Sequence, residues 1–268
     1  MQADVLRLDK IHPVISGNKW FKLKYHLDNF NAGNYKGILT FGGAWSNHIA
    51  ATACTCFLKN IPCVGIIRGE KPPQLSATLT EALKYGMHLR FIPREQYKRK
   101  DDPAFYKTIT TEFPGYYIIP EGGAGAEGEK GASEIIDLLA VNDYSHITCA
   151  VGTGTMFNGI RKAALPTQDV IGIVILKGWK EDNEPGKNLL YDYHFGGYAK
   201  HTNELLSFMN EFYTKTNIPT DIVYTGKLAF AIYDLIKKDY FIPGSKILMI
   251  HSGGLQGNAS LQKGSLIF

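Results

Sequence analysis

Short runs rich in β-branched residues alternate with longer amphipathic stretches along this chain, and that alternation restricts it to an α/β fold with a mainly parallel sheet. Strands are expected at residues 5–8, 37–41, 62–67, 88–92, 116–119, 146–150, 169–176 and 246–251. Helices are expected at 20–31, 47–58, 76–85, 131–139, 156–164, 202–214 and 227–237. In the last of these Leu228, Ile232, Leu235 and Ile236 share one face, the spacing of a helix packed on a sheet. Four expected strands run straight into glycine turns, at Gly42-Gly43, Gly122-Gly123, Gly152-Thr153-Gly154 and Gly253-Gly254. The carboxyl ends of parallel strands line the ligand crevice of an open sheet, so four such turns point to one shared site.

The chain has 268 residues, 44% of them hydrophobic and 20% charged, which excludes a disordered polymer. The net charge of +4 is scattered; the one basic run, Lys98-Arg99-Lys100, is followed by Asp101-Asp102, so no nucleic-acid partner is expected. No apolar stretch reaches the roughly 20 residues of a membrane span. The first residues carry no basic segment ahead of an apolar core, so no secretory signal is expected. Cys54, Cys56, Cys63 and Cys149 form no zinc-ligand pattern. A reducing cytoplasm and no metal are the expectation.

Three stretches carry chemistry. Gly152-Thr153-Gly154-Thr155-Met156, between a strand and a helix, can offer successive N–H groups and two hydroxyls to a phosphate. It is neither a Walker loop nor a dinucleotide fingerprint. Gly42-Gly43-Ala44-Trp45-Ser46-Asn47-His48 ends in a hydroxyl and an amide at a helix start, where Ser46 or Asn47 also serves as an ordinary cap. Ser16-Gly17-Asn18-Lys19-Trp20-Phe21-Lys22-Leu23-Lys24 offers three lysines, and a buried lysine amine is the group that condenses with aldehyde cofactors. Chemistry alone does not choose between Lys19, Lys22 and Lys24.

The order of these motifs resembles that of fold-type-II pyridoxal-phosphate enzymes, specifically the 1-aminocyclopropane-1-carboxylate deaminase and D-cysteine desulfhydrase group. The resemblance runs through Gly17-Asn18-Lys19 with Lys22-Leu23, Gly42-Gly43 with Ser46-Asn47-His48, and Pro120 with Gly122-Gly123. It continues through Gly152 to Thr155, Val223-Tyr224-Thr225-Gly226-Lys227 and His251-Ser252-Gly253-Gly254. It implies two open twisted, mainly parallel sheets with helices on both faces, a larger unit of residues 1–32 and 132–268, a smaller one of 33–131, and a homodimer. It implies pyridoxal 5'-phosphate as cofactor, joined to Lys19, with Asn47 beside its ring and Gly152, Thr153, Gly154 and Thr155 around its phosphate. Ser46, Tyr198 and Tyr224 are the implied catalytic side chains. Trp45, Asn47, His48 and Ser252 join Ser46 around a small amino-acid substrate.

Two departures bear on that substrate. Deaminases of the group carry glutamate after the tyrosine where this chain has Thr225, and a hydroxyl beside the ring nitrogen would favour its protonated form less than a carboxylate does. Ser252 replaces their leucine. Both tilt the expectation toward β-elimination from a D-amino acid such as D-cysteine, with cyclopropane ring opening as the alternative. Trp45 stands where relatives carry smaller or amide side chains, so a reshaped pocket is expected. Racemisation through Ser46 and a non-catalytic cofactor carrier are the remaining rivals; the sulfhydrylases and dehydratases differ in their S-G-N-x-G type loop.

Overall fold

A computed structural model describes residues 2–138, 143–178 and 188–268. Two all-parallel sheets carry the chain. The larger has strand order β1-β9-β6-β7-β8, built from β1 (Gln2–Arg7), β6 (His146–Val151), β7 (Asp169–Val174), β8 (Asn188–Leu190) and β9 (Lys246–His251). The smaller has order β4-β3-β2-β5, from β2 (Gly37–Gly42), β3 (Cys63–Arg68), β4 (His88–Ile92) and β5 (Tyr116–Ile119). The two-sheet α/β architecture agrees with the sequence pattern. Every residue of β2 is buried, as expected of an inner parallel strand covered on both faces.

Helices α1 (Asn18–Ala32), α2 (Asn47–Leu58), α3 (Ala77–Lys84), α4 (Arg94–Tyr97), α5 (Pro103–Glu112), α6 (Ala126–Ser133), α7 (Thr155–Ala163), α8 (Asn203–Thr216) and α9 (Thr225–Lys237) cover the sheets. Helix α1 serves both cores: Phe21 packs with Leu8, Ile147 and Phe157 of the larger sheet's cluster, Leu23 with Ile38, Ile49 and Ile119 of the smaller one's. Its first turn therefore lies where the two sheets meet. No helix among the described residues is long and apolar enough to cross a membrane.

Besides the short helix α4, which the sequence pattern does not predict, and β1, which starts earlier than expected, three departures have a clear physical cause. The helix expected over 131–139 is instead α6, Ala126–Ser133, and Leu139 lies outside the described residues. Glycine is a poor helix former, yet the glycines of α6 bring backbones together: a methyl at Gly131 would lie 1.9 Å from the Phe21 carbonyl oxygen of α1, and one at Gly128 equally close to the Gly123 carbonyl oxygen. Helix α5 was not expected, because Ile109 is its buried residue and it has little apolar periodicity; Asp102 caps it and Pro103 starts it. Strand β8 has three residues, too few for a pattern.

Candidate active site

A cavity of about 240 Å³ opens at the carboxyl ends of the strands, where the two sheets face each other. Its lining comes from the residues after β2, β3, β5, β6 and β9 and from the start of α1. The four glycine turns thus converge, as the sheet topology requires.

Helix α1 begins at Gly17, whose φ of 65° is left-handed and whose missing side chain lets the backbone touch the β9 loop. A methyl there would sit 1.6 Å from the Ser252 carbonyl oxygen, which instead accepts the Asn18 N–H at 3.0 Å. Lys19 follows, its Nζ donating to Asn18 Oδ1 at 2.6 Å. Burial pushes its pKa down to about 8, with the Asp221 carboxylate partly opposing. Lys22, one turn along and 3% exposed, donates to the Gly122 carbonyl oxygen at 3.1 Å and lies 3.5 Å from Thr153 Oγ1. Burial and then the charge of Lys19 hold its pKa well below the ordinary lysine value. Lys24 is exposed and ion-paired with Glu134 at 2.7 Å, away from the cavity. Geometry therefore leaves Lys19 and Lys22 as the cavity's amines and removes Lys24.

At the far side α7 starts at Gly154 in left-handed geometry, φ 79°, with no side chain capping its N–H groups. Gly152, Thr153 and Gly154 line the cavity. Thr155 does not: it is 3% exposed and its hydroxyl lies 3.0 Å from that of Thr153, bracing the loop from beneath. An uncapped helix start beside a buried lysine that faces only neutral oxygens suits a phosphate. These residues fit pyridoxal phosphate, whose phosphate they would hold within reach of Lys19.

On the smaller sheet's side Ser46 caps α2, accepting from Ile49 N–H at 3.3 Å, and Asn47 Nδ2 donates to the Gly254 carbonyl oxygen at 3.0 Å, tying the two sheets together. Asn47 Oδ1 is buried without a hydrogen-bond partner, an acceptor left for a ligand. His48 is 2% exposed and its tautomer follows from its neighbours. Thr40 Oγ1 donates to the Ile119 carbonyl oxygen at 2.8 Å, so His48 Nε2–H must donate to Thr40 at 2.7 Å, leaving Nδ1 as a buried, unpartnered acceptor. Burial and the charges of Lys19 and Lys22 depress its pKa strongly and keep it neutral. Trp45 is half-buried but off the lining: the turn closed by Ser46 N–H on the Gly43 carbonyl oxygen at 3.1 Å presents residues 43 and 46 instead.

Tyr198, Tyr224 and Ser252 complete the sequence-derived lining. The two rings meet edge to face, centroids 6.3 Å apart, and burial raises both phenol pKa values, that of Tyr224 strongly. Thr225 is fully buried and off the lining. Its Oγ1 donates to Asp221 Oδ1 at 2.7 Å and accepts Asp221 N–H at 2.7 Å. Asp221 also takes the N–H groups of Val223, Tyr224 and Thr225, so the two side chains together close the start of α9. The Asp at i to Thr at i+4 spacing was visible in the sequence, and its capping role was missed.

Arg68 and Glu121 also line the cavity and were missed as site residues. Each is the residue, or nearly so, where a strand of the smaller sheet ends, and both strands flank β2. Only the sheet order reveals them.

A sequence profile of the family described as pyridoxal-phosphate dependent enzyme matches residues 5–253. The chain belongs to this family. As a pyridoxal-phosphate dependent enzyme it is 28% identical to the bifunctional D-cysteine desulfhydrase/1-aminocyclopropane-1-carboxylate deaminase, mitochondrial, of Arabidopsis thaliana, over 91% of this chain and 70% of that one. It is 27% identical to a Pyrococcus horikoshii protein provisionally named 1-aminocyclopropane-1-carboxylate deaminase, over 91% of this chain and 81% of the other. The crystal structure of an ACC deaminase homologue superposes with a TM-score of 0.81 at 26% identity, covering 96% of this chain and 85% of that chain.

Proposed function

We propose that this pyridoxal-phosphate dependent enzyme is a lyase that carries out β-elimination on a small D-amino acid, converting D-cysteine and water to pyruvate, ammonia and sulfide. The observation that carries this reading is the Lys19 amine, its pKa lowered to about 8, in one cavity with the phenols of Tyr198 and Tyr224, which are protonated donors. Bound pyridoxal phosphate supplies the electron sink for the bond that breaks at Cα. Lys19 would hold the cofactor, and its amine would be the base that moves the Cα proton. Tyr224 and Tyr198 stand as donors to the departing sulfur. Asn47 Oδ1 offers an acceptor beside the ring, and Gly152 to Gly154 with Lys22 take the phosphate. Ser46, His48 and Ser252 border the space for the substrate.

Elimination is favoured over ring opening because, among the described residues, the carboxylate lining the cavity is Glu121, on the loop after β5, and no acid follows Tyr224. Asp221 directs its charge into the start of α9, and the Thr225 hydrogen goes to Asp221. A ring without a carboxylate at its nitrogen is a weaker sink, sufficient to expel a thiolate more readily than to open a cyclopropane. Ring opening of 1-aminocyclopropane-1-carboxylate to 2-oxobutanoate and ammonia is the second reading, supported by the names of the relatives above. Residues 1–32 with 132–268 as the larger unit, 33–131 as the smaller, a homodimeric state and a cytoplasmic location belong to the same proposal.

The test is an assay of the holoprotein with D-cysteine, L-cysteine, D-serine and 1-aminocyclopropane-1-carboxylate. Pyruvate and sulfide should form fastest from D-cysteine. Faster 2-oxobutanoate would favour ring opening, and no keto acid from any of the four would favour a cofactor carrier. Borohydride reduction should fix the cofactor on Lys19; a label on Lys22 would overturn the assignment of the two amines.

A further inference from the structure

We infer that Lys227 is a positioning residue that holds Tyr198 at the cavity by tying down the loop from which that phenol projects. The inference rests on the elimination reading above, in which Tyr198 is a donor. Lys227 is completely buried in the first turn of α9 and takes no part in the cavity lining. Its Nζ donates to the His194 carbonyl oxygen at 2.9 Å and to that of Gly197 at 2.7 Å. Each of those carbonyls opens a tight turn, closed by Gly197 N–H on His194 at 2.9 Å and by Lys200 N–H on Gly197 at 3.1 Å. One amine thus bridges two consecutive turns, and Tyr198 directly follows their junction.

The loop needs such a tie. Phe195 and Ala199 have φ of 50° and 54°, left-handed geometry that residues with a side chain disfavour, so a conformation of this kind persists only where its surroundings fix it. Tyr198 is 39% exposed, and burial alone does not hold its ring. Burial lowers the Lys227 pKa to about 8 against the pull of Asp221. Protonated or neutral, the amine keeps at least the two N–H groups that the turns require. The same helix starts at Tyr224, whose ring meets that of Tyr198 edge to face. Helix α9 therefore sets both phenols, one through its own backbone and the other through Lys227.

The test has two arms on Lys227→Met, an unbranched side chain without the donors. Amide hydrogen exchange of the protein as purified reads the loop: residues 196–200 should exchange about tenfold faster or more in the variant, with the smaller sheet unchanged. Equal rates in the two proteins, or a rise spread over the whole chain, would overturn the assignment. So would unprotected exchange of the Gly197 and Lys200 amides in the wild type, a result that does not depend on how the variant folds. The second arm compares D-cysteine with β-chloro-D-alanine in the holoprotein. Chloride is a far weaker base than hydrosulfide and leaves with less help from a donor, so Lys227→Met should lower kcat for D-cysteine about tenfold more than for the chloro compound, with KM little changed. In a Tyr198→Phe background the same change should leave that ratio where it is, because Lys227 acts through the phenol. An equal loss with both substrates, or a further fall of the ratio in the Tyr198→Phe background, would overturn the assignment. Keto acid from neither substrate in the wild type would count against the elimination reading instead, and the exchange arm alone then decides for Lys227.

Discussion

Helices α7 and α2 both begin at the cavity, one from each sheet, and they begin differently. The start of α7 is open: Gly154 gives no cap, and Lys22 beside it meets only a carbonyl and a hydroxyl. The start of α2 is capped by its own serine, which takes the Ile49 N–H, and is tied to the other sheet by Asn47, with Arg68 on the same cavity lining. The open end has donors waiting for a ligand that stays; the closed end is stable without one and suits a ligand that comes and goes. Helix α9 is the extreme case, its first N–H groups wholly taken by Asp221.

The most severe way to separate the two ends is to remove the amine between them. Lys19→Ala should lower elimination by about 10³-fold, the range of a positioned acid–base group, while cofactor phosphate and substrate still bind; product formation within tenfold of wild type would sink the assignment. In intact protein the neutral form of Lys19 is the reactive one. Apoprotein should therefore capture cofactor about tenfold faster per pH unit below a pH of about 8 and level off above it, because burial lowers the Lys19 pKa from 10.5. The same shift carries a stability sign: the unfolded chain binds the proton more tightly, so apoprotein stability should rise from about pH 8 toward 10.5. A capture rate flat from pH 6.5 to 9 would contradict both.

Lys22→Met tests the open end alone. Cofactor affinity, read by titration of the visible band, should fall roughly 10- to 100-fold as a charge-assisted contact is lost. The apoprotein should meanwhile melt at higher temperature, because a buried amine without a carboxylate partner is costly whether it keeps its proton or loses it. Unaltered affinity would mean that α7 is not the phosphate end. Thr225→Val tests the fully closed end and should destabilise the protein by about 1–3 kcal/mol, since Asp221 loses partners in a buried site. Thr225→Glu should cost more, because it sets a second carboxylate against Asp221. The mildest change, Ser46→Ala, should cost about 1 kcal/mol of unfolding free energy as α2 loses its cap. A larger loss there than in Thr225→Val, both measured by denaturant titration, would reverse the ranking of the ends.

Legibility followed the same division. The strands His88–Ile92, Tyr116–Ile119 and Lys246–His251 and helix Asn47–Leu58 carry local signals, β-branched runs or an unbroken apolar stretch, and lie where the sequence places them. Lys19, the glycine loops and Ser46-Asn47-His48 were readable because each sits in a motif with its neighbours. Arg68 and Glu121 were not, since β3 and β5 meet at the site only through pairing on either side of β2. Thr225 was placed at the cavity by motif alone; its direction is set by the Asp221 carboxylate four residues earlier. Thr155 and Trp45 belong to the right loops, but backbone geometry turns them off the lining. Helix α6 was misplaced because glycine disfavours a helix locally and marks a close helix contact globally.

That contact has a reach beyond packing. Gly131 touches no ligand, yet its bare Cα sets how near α6 stands to the Phe21 carbonyl, between the two lysines' turn of α1 and the body of the larger sheet. It works as a spacer of fixed thickness, so adding a single carbon there would move the reactive amine relative to the phosphate loop. Under selection for activity, residue 131 should prove nearly as immutable as Lys19 itself.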